Sequence, residues 1–457
     1  MRKRIGLIVL CLVSIPFPRI ARSADIPHSR PSFGLVTSDG SVVRTHPAPS
    51  AHPVATLVQE TQVRVLGKKS NWFHVLIWGS IHGWMAKRAI TFRKPWSSVS
   101  TYKAPIIRYQ VRAQAAEPVH ATALVRAGER LYRSPERAIT GWLPAGSTVQ
   151  VTAWRQDASG TIWYRAGNGW ANGAQVQFSK MIVRAGNNGR PLWASIRGKG
   201  MWMTLGALDA SSGAVLADAA ARNGVTHIYV ESAISPLGFH GRGSVGSLID
   251  AAHRRHIAVI AWVYPYLYDI ASDVALTRRV AAFRTQSGQR FDGIAADLER
   301  NMHVGPIQTY SQLVRAYLGA RYLLVGVTYP PQSLATYPFA TVARSYNVIA
   351  PMDYWHQTST GAGLNYDHLR YGWSYGYRYA RESISTIRDS VGATPIEPIG
   401  QVFDDFGRLE MGPHAPSSAE VNGFLQGCKA GGAVGVSFFQ WMTASATEWA
   451  AIHAYHY

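Results

Sequence analysis

The chain has 457 residues, 47% hydrophobic and 16% charged, which is more apolar material than one ordinary domain needs and excludes wholesale disorder. A formal net charge of +20, from 46 Lys and Arg against 26 Asp and Glu, calls for an anionic partner or surface. Two cysteines, Cys11 and Cys428, exclude a Cys-based zinc site and a disulfide framework.

Met1-Arg2-Lys3-Arg4 is a basic head, and the apolar run from Ile5 to Phe17 is too short to span a bilayer. Ala21-Arg22-Ser23 then offers small residues at the two positions a signal peptidase reads. Residues 1–23 are therefore expected to be a signal peptide. The mature chain is expected to be secreted or associated with the cell envelope, with no stable membrane span and one thiol. The charge is uneven: residues 24–200 carry 23 Lys and Arg against 7 acids, whereas residues 201–457 carry 18 against 19. Two kinds of module with different tasks follow from that split. Outside the cell the polyanions on offer are wall polymers and lipid head groups rather than nucleic acid.

Residues 33–93 hold short alternating runs broken by turn signals: Gly34 to Thr37, Ser41 to Arg44, Thr61 to Leu66, Trp72 to Leu76 and Gly83 to Met85. Residues 121–178 repeat the order with Ala123 to Val125, Arg130 to Arg133, Ser147 to Ala153, Ile162 to Tyr164 and Gly169 to Ala171. Such runs predict two small all-β units, with residues 94–120 and 179–200 as linkers. Shared marks are an Arg before a Pro-containing loop (Arg44 and Pro47; Arg133 and Pro135), a mid-unit Trp (Trp72; Trp163) and a late Gly-Trp (Gly83-Trp84; Gly169-Trp170). By those marks both units resemble the bacterial SH3-like domain. That resemblance implies binding to the cell wall or to a peptide ligand.

From residue 201 to 457 apolar runs of five to eight residues alternate with amphipathic stretches. The runs are Met201 to Leu208, His227 to Ala233, Ala258 to Pro265, Gly293 to Glu299, Leu323 to Tyr329, Val348 to Tyr354, Ile396 to Phe403 and Ala433 to Trp441. Near-continuous apolar strands joined by helices mean a parallel sheet buried on both faces. Eight such units match a (β/α)8 TIM barrel better than a doubly wound sheet.

In such a barrel, functional side chains sit at the C-terminal strand ends. Those ends offer Glu231, then Trp262 and Tyr264, then Asp297 and Glu299, then Tyr329. The later strands offer Asp353, Tyr354 and Trp355, then Gln401 with Asp404 and Asp405 just beyond, and finally Gln440 and Trp441. Carboxyls ringed by aromatics describe a sugar-binding cleft, because carboxyls protonate or attack and flat rings stack on pyranose faces. Asp297 and Glu299 lie two apart on one strand and point the same way, so one of their pKa values is expected to rise, as a general acid requires.

The segment Asp292-Gly293-Ile294-Ala295-Ala296-Asp297-Leu298-Glu299 resembles the strand-four signature of glycoside hydrolase family 18, Asp-Gly-apolar-Asp-apolar-Asp-x-Glu. Ala295 stands where that family has an acid. The resemblance implies Glu299 as proton donor, with Asp297 as its partner orienting a substrate N-acetyl group. At strand six the family reads Met-x-Tyr-Asp; Met352 and Tyr354 match, while the acid lies at Asp353 and Trp355 takes the last place. Trp441 fits the family's sugar-stacking Trp. The whole run also resembles glycoside-hydrolase-like barrels of unassigned activity.

Gly241-Arg242-Gly243-Ser244-Val245-Gly246 has dinucleotide-fingerprint spacing but lies well past its strand, with no acid about 20 residues on. His253 and His256 lack the Glu of a zincin, and no Gly-x-Ser-x-Gly elbow occurs. No cofactor and no metal is expected. The residues point to an exported glycosidase with Glu299, Asp297 and Asp353 as catalytic groups. Glu231, Trp262, Tyr264, Tyr329, Tyr354, Trp355, Gln401, Gln440 and Trp441 are the expected substrate contacts. The alternative is a wall-associated glycan-binding protein whose barrel has lost turnover, to which Ala295 points.

Overall fold

The computed structural model describes residues 32–37, 41–57, 62–77, 81–91, 111, 113–135, 137–180, 182, 189–235, 237–356, 372–403 and 415–457. The expected signal peptide, most of the 94–120 linker, Asp404 and Asp405 lie outside the described residues. The chain divides into two units, residues 1–107 and 108–457.

In the first unit seven strands run β1 (Ser32–Val36), β2 (Ser41–Arg44), β3 (Pro53–Leu57), β4 (Gln62–Lys69), β5 (Trp72–Ile77), β6 (Ile81–Ala86) and β7 (Ile90–Thr91). They form one sheet in the order β3-β2-β6-β5-β4-β1-β7. Val43, Val63, Val75 and Met85 fill its core. The second unit begins with seven more: β8 (Glu117–Val125), β9 (Glu129–Tyr132), β10 (Ile139–Leu143), β11 (Thr148–Gln156), β12 (Ile162–Ala166), β13 (Gly169–Asn172) and β14 (Val176–Phe178). Their order, β10-β9-β13-β12-β11-β8-β14, repeats the first sheet strand for strand.

That repetition explains the late Gly-Trp pair. A Cβ on Gly83 would stand 2.4 Å from Val43 Cγ1 and 3.0 Å from the Arg44 carbonyl on β2. A Cβ on Gly169 would stand 2.9 Å from Leu131 and 3.1 Å from the Tyr132 carbonyl on β9. In both sheets the glycine lets one strand cross close over its neighbour.

Nine further strands follow: β15 (Gly198–Met203), β16 (His227–Ile234), β17 (Gly238–Phe239), β18 (Ala258–Tyr264), β19 (Gly293–Asp297), β20 (Leu323–Thr328), β21 (Val348–Asp353), β22 (Ile399–Gln401) and β23 (Gly435–Phe439). All but the short β17 pair in parallel, and β15 pairs with both β16 and β23, so eight strands close on themselves. The helices are α1 (Leu205–Ala210), α2 (Gly213–Arg222), α3 (Arg242–His253), α4 (Ile270–Ala281), α5 (Val304–Leu318), α6 (Phe339–Val342), α7 (Trp373–Val391), α8 (Ser418–Ala430) and α9 (Ala446–Ala454). The barrel expectation holds, and each predicted apolar run overlaps a strand, although β15 begins at Gly198, before the run that starts at Met201, and the tail of that run lies in α1. Gly241-Arg242-Gly243 opens α3, and its His253 bonds Asp292 and Gln289. Among the described residues no helix is long and apolar enough to cross a membrane.

Every second residue of each barrel strand points inward, and Trp202, Tyr229, Ile260, Ala295, Val325, Ala350, Met352 and Ile399 fill the interior. The floor carries a buried polar set in which the His227 ring and the Tyr229 hydroxyl both meet the Glu397 carboxylate. On β15, Lys199 Nζ donates to the carbonyls of Ile452 at 2.6 Å, His453 at 3.2 Å and Tyr455 at 2.7 Å. Asp292 is structural, because its Oδ2 accepts from Val259 N at 2.7 Å and so ties β18 to the start of β19.

The barrel starts at Gly198, within the expected 179–200 linker, and the β8–β14 sheet is not held by a linker alone. Its buried Trp154, Tyr164 and Phe178 belong to the same apolar cluster as Tyr310 and Leu313 of α5. Trp154 Nε1 donates to Tyr317 Oη at 2.7 Å, and Gln312 Nε2 donates to Tyr164 Oη at 2.7 Å. Gln156 donates to Asp269 at 2.9 Å while accepting from Ala271 N, and Arg278 pairs with Glu117 at 2.5 Å. Trp154→Ala should therefore destabilise sheet and barrel together, by about 3–5 kcal/mol. Urea unfolding checks this: one cooperative transition at a lower midpoint is expected, and an unshifted barrel transition would contradict it.

Candidate active site

The backbone of β19 decides the site. Gly293, Ala295 and Asp297 alternate with Ile294 and Ala296, and the side chain of Asp297 comes out at the strand's C-terminal end toward the barrel axis. Asp297 is 3% exposed. Trp262 Nε1, from the adjoining β18, donates to its Oδ2 at 3.0 Å, while Oδ1 is buried and has no hydrogen-bond partner among the described residues. Glu299, two residues on and half-buried, accepts hydrogen bonds from the side chains of Tyr264 and Tyr329.

Burial holds the Asp297 carboxyl well above the usual carboxylate range; the Glu299 charge adds to this and the Trp262 N–H opposes it. Glu299 is also raised by burial, against the pull of the two tyrosines and of Arg300. The two acids thus hold a proton between them at pH values where exposed carboxyls have lost theirs. Their charge in turn pushes the phenols of Tyr264 and Tyr354 well above the ordinary tyrosine range, with burial the larger cause in each.

Aromatic walls surround the pair. Trp262 meets Trp202 edge-on at 5.3 Å between centroids and Phe439 at 5.9 Å; Tyr354 meets Phe403 at 5.2 Å and Phe439 at 5.9 Å. Glu231, buried within β16, accepts from Leu205 N at 3.3 Å and has His240 Nε2 at 3.4 Å. Gln440 Oε1 accepts from Thr204 Oγ1 at 3.3 Å, which stitches the ends of β15 and β23.

Several expected contacts lie elsewhere. Asp353 is fully buried on the opposite face of β21, where Ser383 Oγ of α7 donates to its Oδ1 at 2.7 Å. Met352 and Tyr354 take the inward positions, so Asp353 is not among the groups around Glu299. Trp355 is fully buried in the helix layer, 4.7 Å from Phe424 of α8, and does not line the mouth. Trp441 packs edge-on against Trp449 of α9 at 4.9 Å, and Phe439 supplies the inward ring at this strand. Gln401 uses both ends on backbone, accepting from His356 N at 3.0 Å and donating to the Phe403 carbonyl at 2.9 Å. Sequence reasoning missed Tyr337, whose hydroxyl donates to the Leu298 carbonyl at 2.7 Å and steadies the residue between the two acids. It also missed Phe439, for which the period-two pattern of β23 was the available signal.

Residues 39–91 match the family model described as the bacterial SH3 domain. No curated protein matches the chain. Among solved structures, the spore cortex-lytic enzyme SleL of Bacillus cereus aligns over 56% of this chain and 73% of its own, at 9% identity and a TM-score of 0.42. A class V chitinase from Pseudomonas fluorescens Pf-5 aligns over 56% and 99%, at 14% identity and a TM-score of 0.41. A glycoside hydrolase family 18 N-acetylglucosaminidase from Paenibacillus barengoltzii aligns over 56% and 99%, at 12% identity and a TM-score of 0.39.

A carboxyl whose folded pKa exceeds its unfolded value adds stability that is complete below the ordinary carboxylate range and is lost as pH rises through the raised value. Asp297→Asn, which keeps an acceptor for Trp262, and Glu299→Gln should therefore melt above the wild type at pH 7.5. The gap should shrink toward pH 4. Calorimetry at both pH values checks this, and variants that melt lower at pH 7.5 would contradict it.

Proposed function

We propose that the protein is an exported glycoside hydrolase acting on a cell-wall or extracellular polysaccharide of peptidoglycan or chitin type. The observation that carries this reading is the pair of buried Asp297 and half-buried Glu299, raised in pKa and walled by Trp262, Tyr264, Tyr329 and Tyr354. Glu299 gives its proton to the glycosidic oxygen as the bond to the anomeric carbon breaks. Water then completes that carbon and returns a proton to the carboxylate. Asp297 feeds charge and proton to Glu299, and its Oδ1, without a hydrogen-bond partner among the described residues, is the atom offered to a substrate amide. The rings offer stacking faces for sugars.

The first β unit, and by its identical strand order the second, are SH3-like in this reading, and the basic N-terminal half meets an anionic wall polymer. Ala295, buried on the inner face two residues before Asp297, favours a second reading: a wall-associated protein that binds glycan without cleaving it.

Turnover of chitooligosaccharides and peptidoglycan fragments separates the two. Hydrolysis is expected for the wild type, with kcat lowered about 10²–10⁴-fold in Glu299→Gln and binding retained. Binding without turnover of any glycan in the wild type would establish the second reading.

A further inference from the structure

Away from the barrel mouth, a shallow cleft lies where β14 meets α5 and the loop after α6, and its walls include Gln177, Gln308, Gln312, Arg315 and Arg344. Arg126, just past β8, reaches the same place, with Nη1 donating to Gln308 Oε1 at 3.3 Å. The Gln177 amide oxygen, turned to the guanidinium of Arg344, accepts from its Nη2 at 3.2 Å. Behind them Arg315 is 2% exposed. Its Nε donates to the Ser345 carbonyl at 2.7 Å and its Nη2 to Asn347 Oδ1 at 2.8 Å, while Nη1 reaches the carbonyls of Gly319 and Tyr322 at 3.0 and 2.7 Å.

Every one of these acceptors is neutral. Among the described residues no carboxylate forms an ion pair with Arg126, Arg315 or Arg344. Burial pushes Arg315 down to about 10, and burial together with the charge of Arg126 lowers Arg344. Three like charges from three separate elements are thus drawn together at a polar cleft, an arrangement that is unfavourable until an anion joins it.

We propose that this cleft binds a phosphate group. Arg126 and Arg344 are exposed and supply guanidinium forks, while Arg315, its donors already engaged, supplies charge from behind. Cations arriving from three directions suit a tetrahedral, multiply charged oxyanion better than the planar single charge of a carboxylate. The site lies in the junction between sheet and barrel, so an occupant clamps β14 to α5.

The test uses the full chain with sodium phosphate, sodium acetate and sodium chloride at matched ionic strength, read by calorimetric titration and thermal unfolding. Saturable binding of phosphate and a higher melting temperature in phosphate than in chloride are expected. Affinity should fall at least tenfold in Arg344→Ala and in Arg126→Ala; both positions are exposed and outside the core, so the fold survives. Sedimentation with phosphatidylglycerol against phosphatidylcholine vesicles tells the source: retention that both variants lose assigns a lipid head group, and phosphate binding without retention assigns a soluble or polymer-borne phosphate. Equal melting in phosphate and chloride, an equal response to acetate, or a phosphate response that survives both substitutions would overturn the proposal.

Discussion

Two carboxyls at the end of β19, one buried and one half-buried, are shielded from water, and the barrel mouth is arranged around the cost of charge there. Asp297 has one N–H to lean on, from Trp262, and Glu299 has two phenols and the nearby Arg300. None of these partners is strong enough to cancel burial, so the pair stays proton-rich. The same arrangement accounts for the aromatic walls. Rings exclude water without offering a counter-charge, which pushes a carboxyl's pKa upward. Burying the two acids therefore costs stability locally wherever they are charged.

How much of this was legible in the sequence depends on which periodicity carries it. The barrel could be read because eight apolar runs separated by helical stretches have few other solutions. The acid pair could be read because residues two apart on a strand share a face. Asp353, Trp355 and Trp441 could not be placed the same way. A parallel barrel strand is apolar on both faces, so hydropathy does not say which of Met352 and Asp353 turns inward. Met352 does, and Asp353 falls to the helix layer against Ser383. Trp441 shares the parity of Phe439, but β23 ends at Phe439, and beyond that point parity no longer applies.

The β8–β14 sheet shows a different limit. Gln308, Gln312 and Arg315 are polar residues spaced along one face of α5, and all three are buried. Gln312 accepts from Phe178 N at 3.1 Å and donates to Tyr164, so a polar helix face serves as a dry seam. Only tertiary contact makes such residues interior, which is why composition divided the chain into a basic half and a neutral half where packing joins this sheet to the barrel. The outer face of that junction is where the guanidinium groups of Arg126 and Arg344 gather, with no ion pair among the described residues.

The lysine on β15 bears on the order in which a nascent chain can mature. Its ammonium finds its acceptors 253 to 256 residues downstream. Strand β15 can take β16 as a neighbour early, but its other edge stays open until β23 has left the ribosome. Until then an unpaired strand edge is exposed, with the hazard of association that such edges carry. Ring closure and the seating of α9 against Lys199 therefore both wait for residues beyond 434.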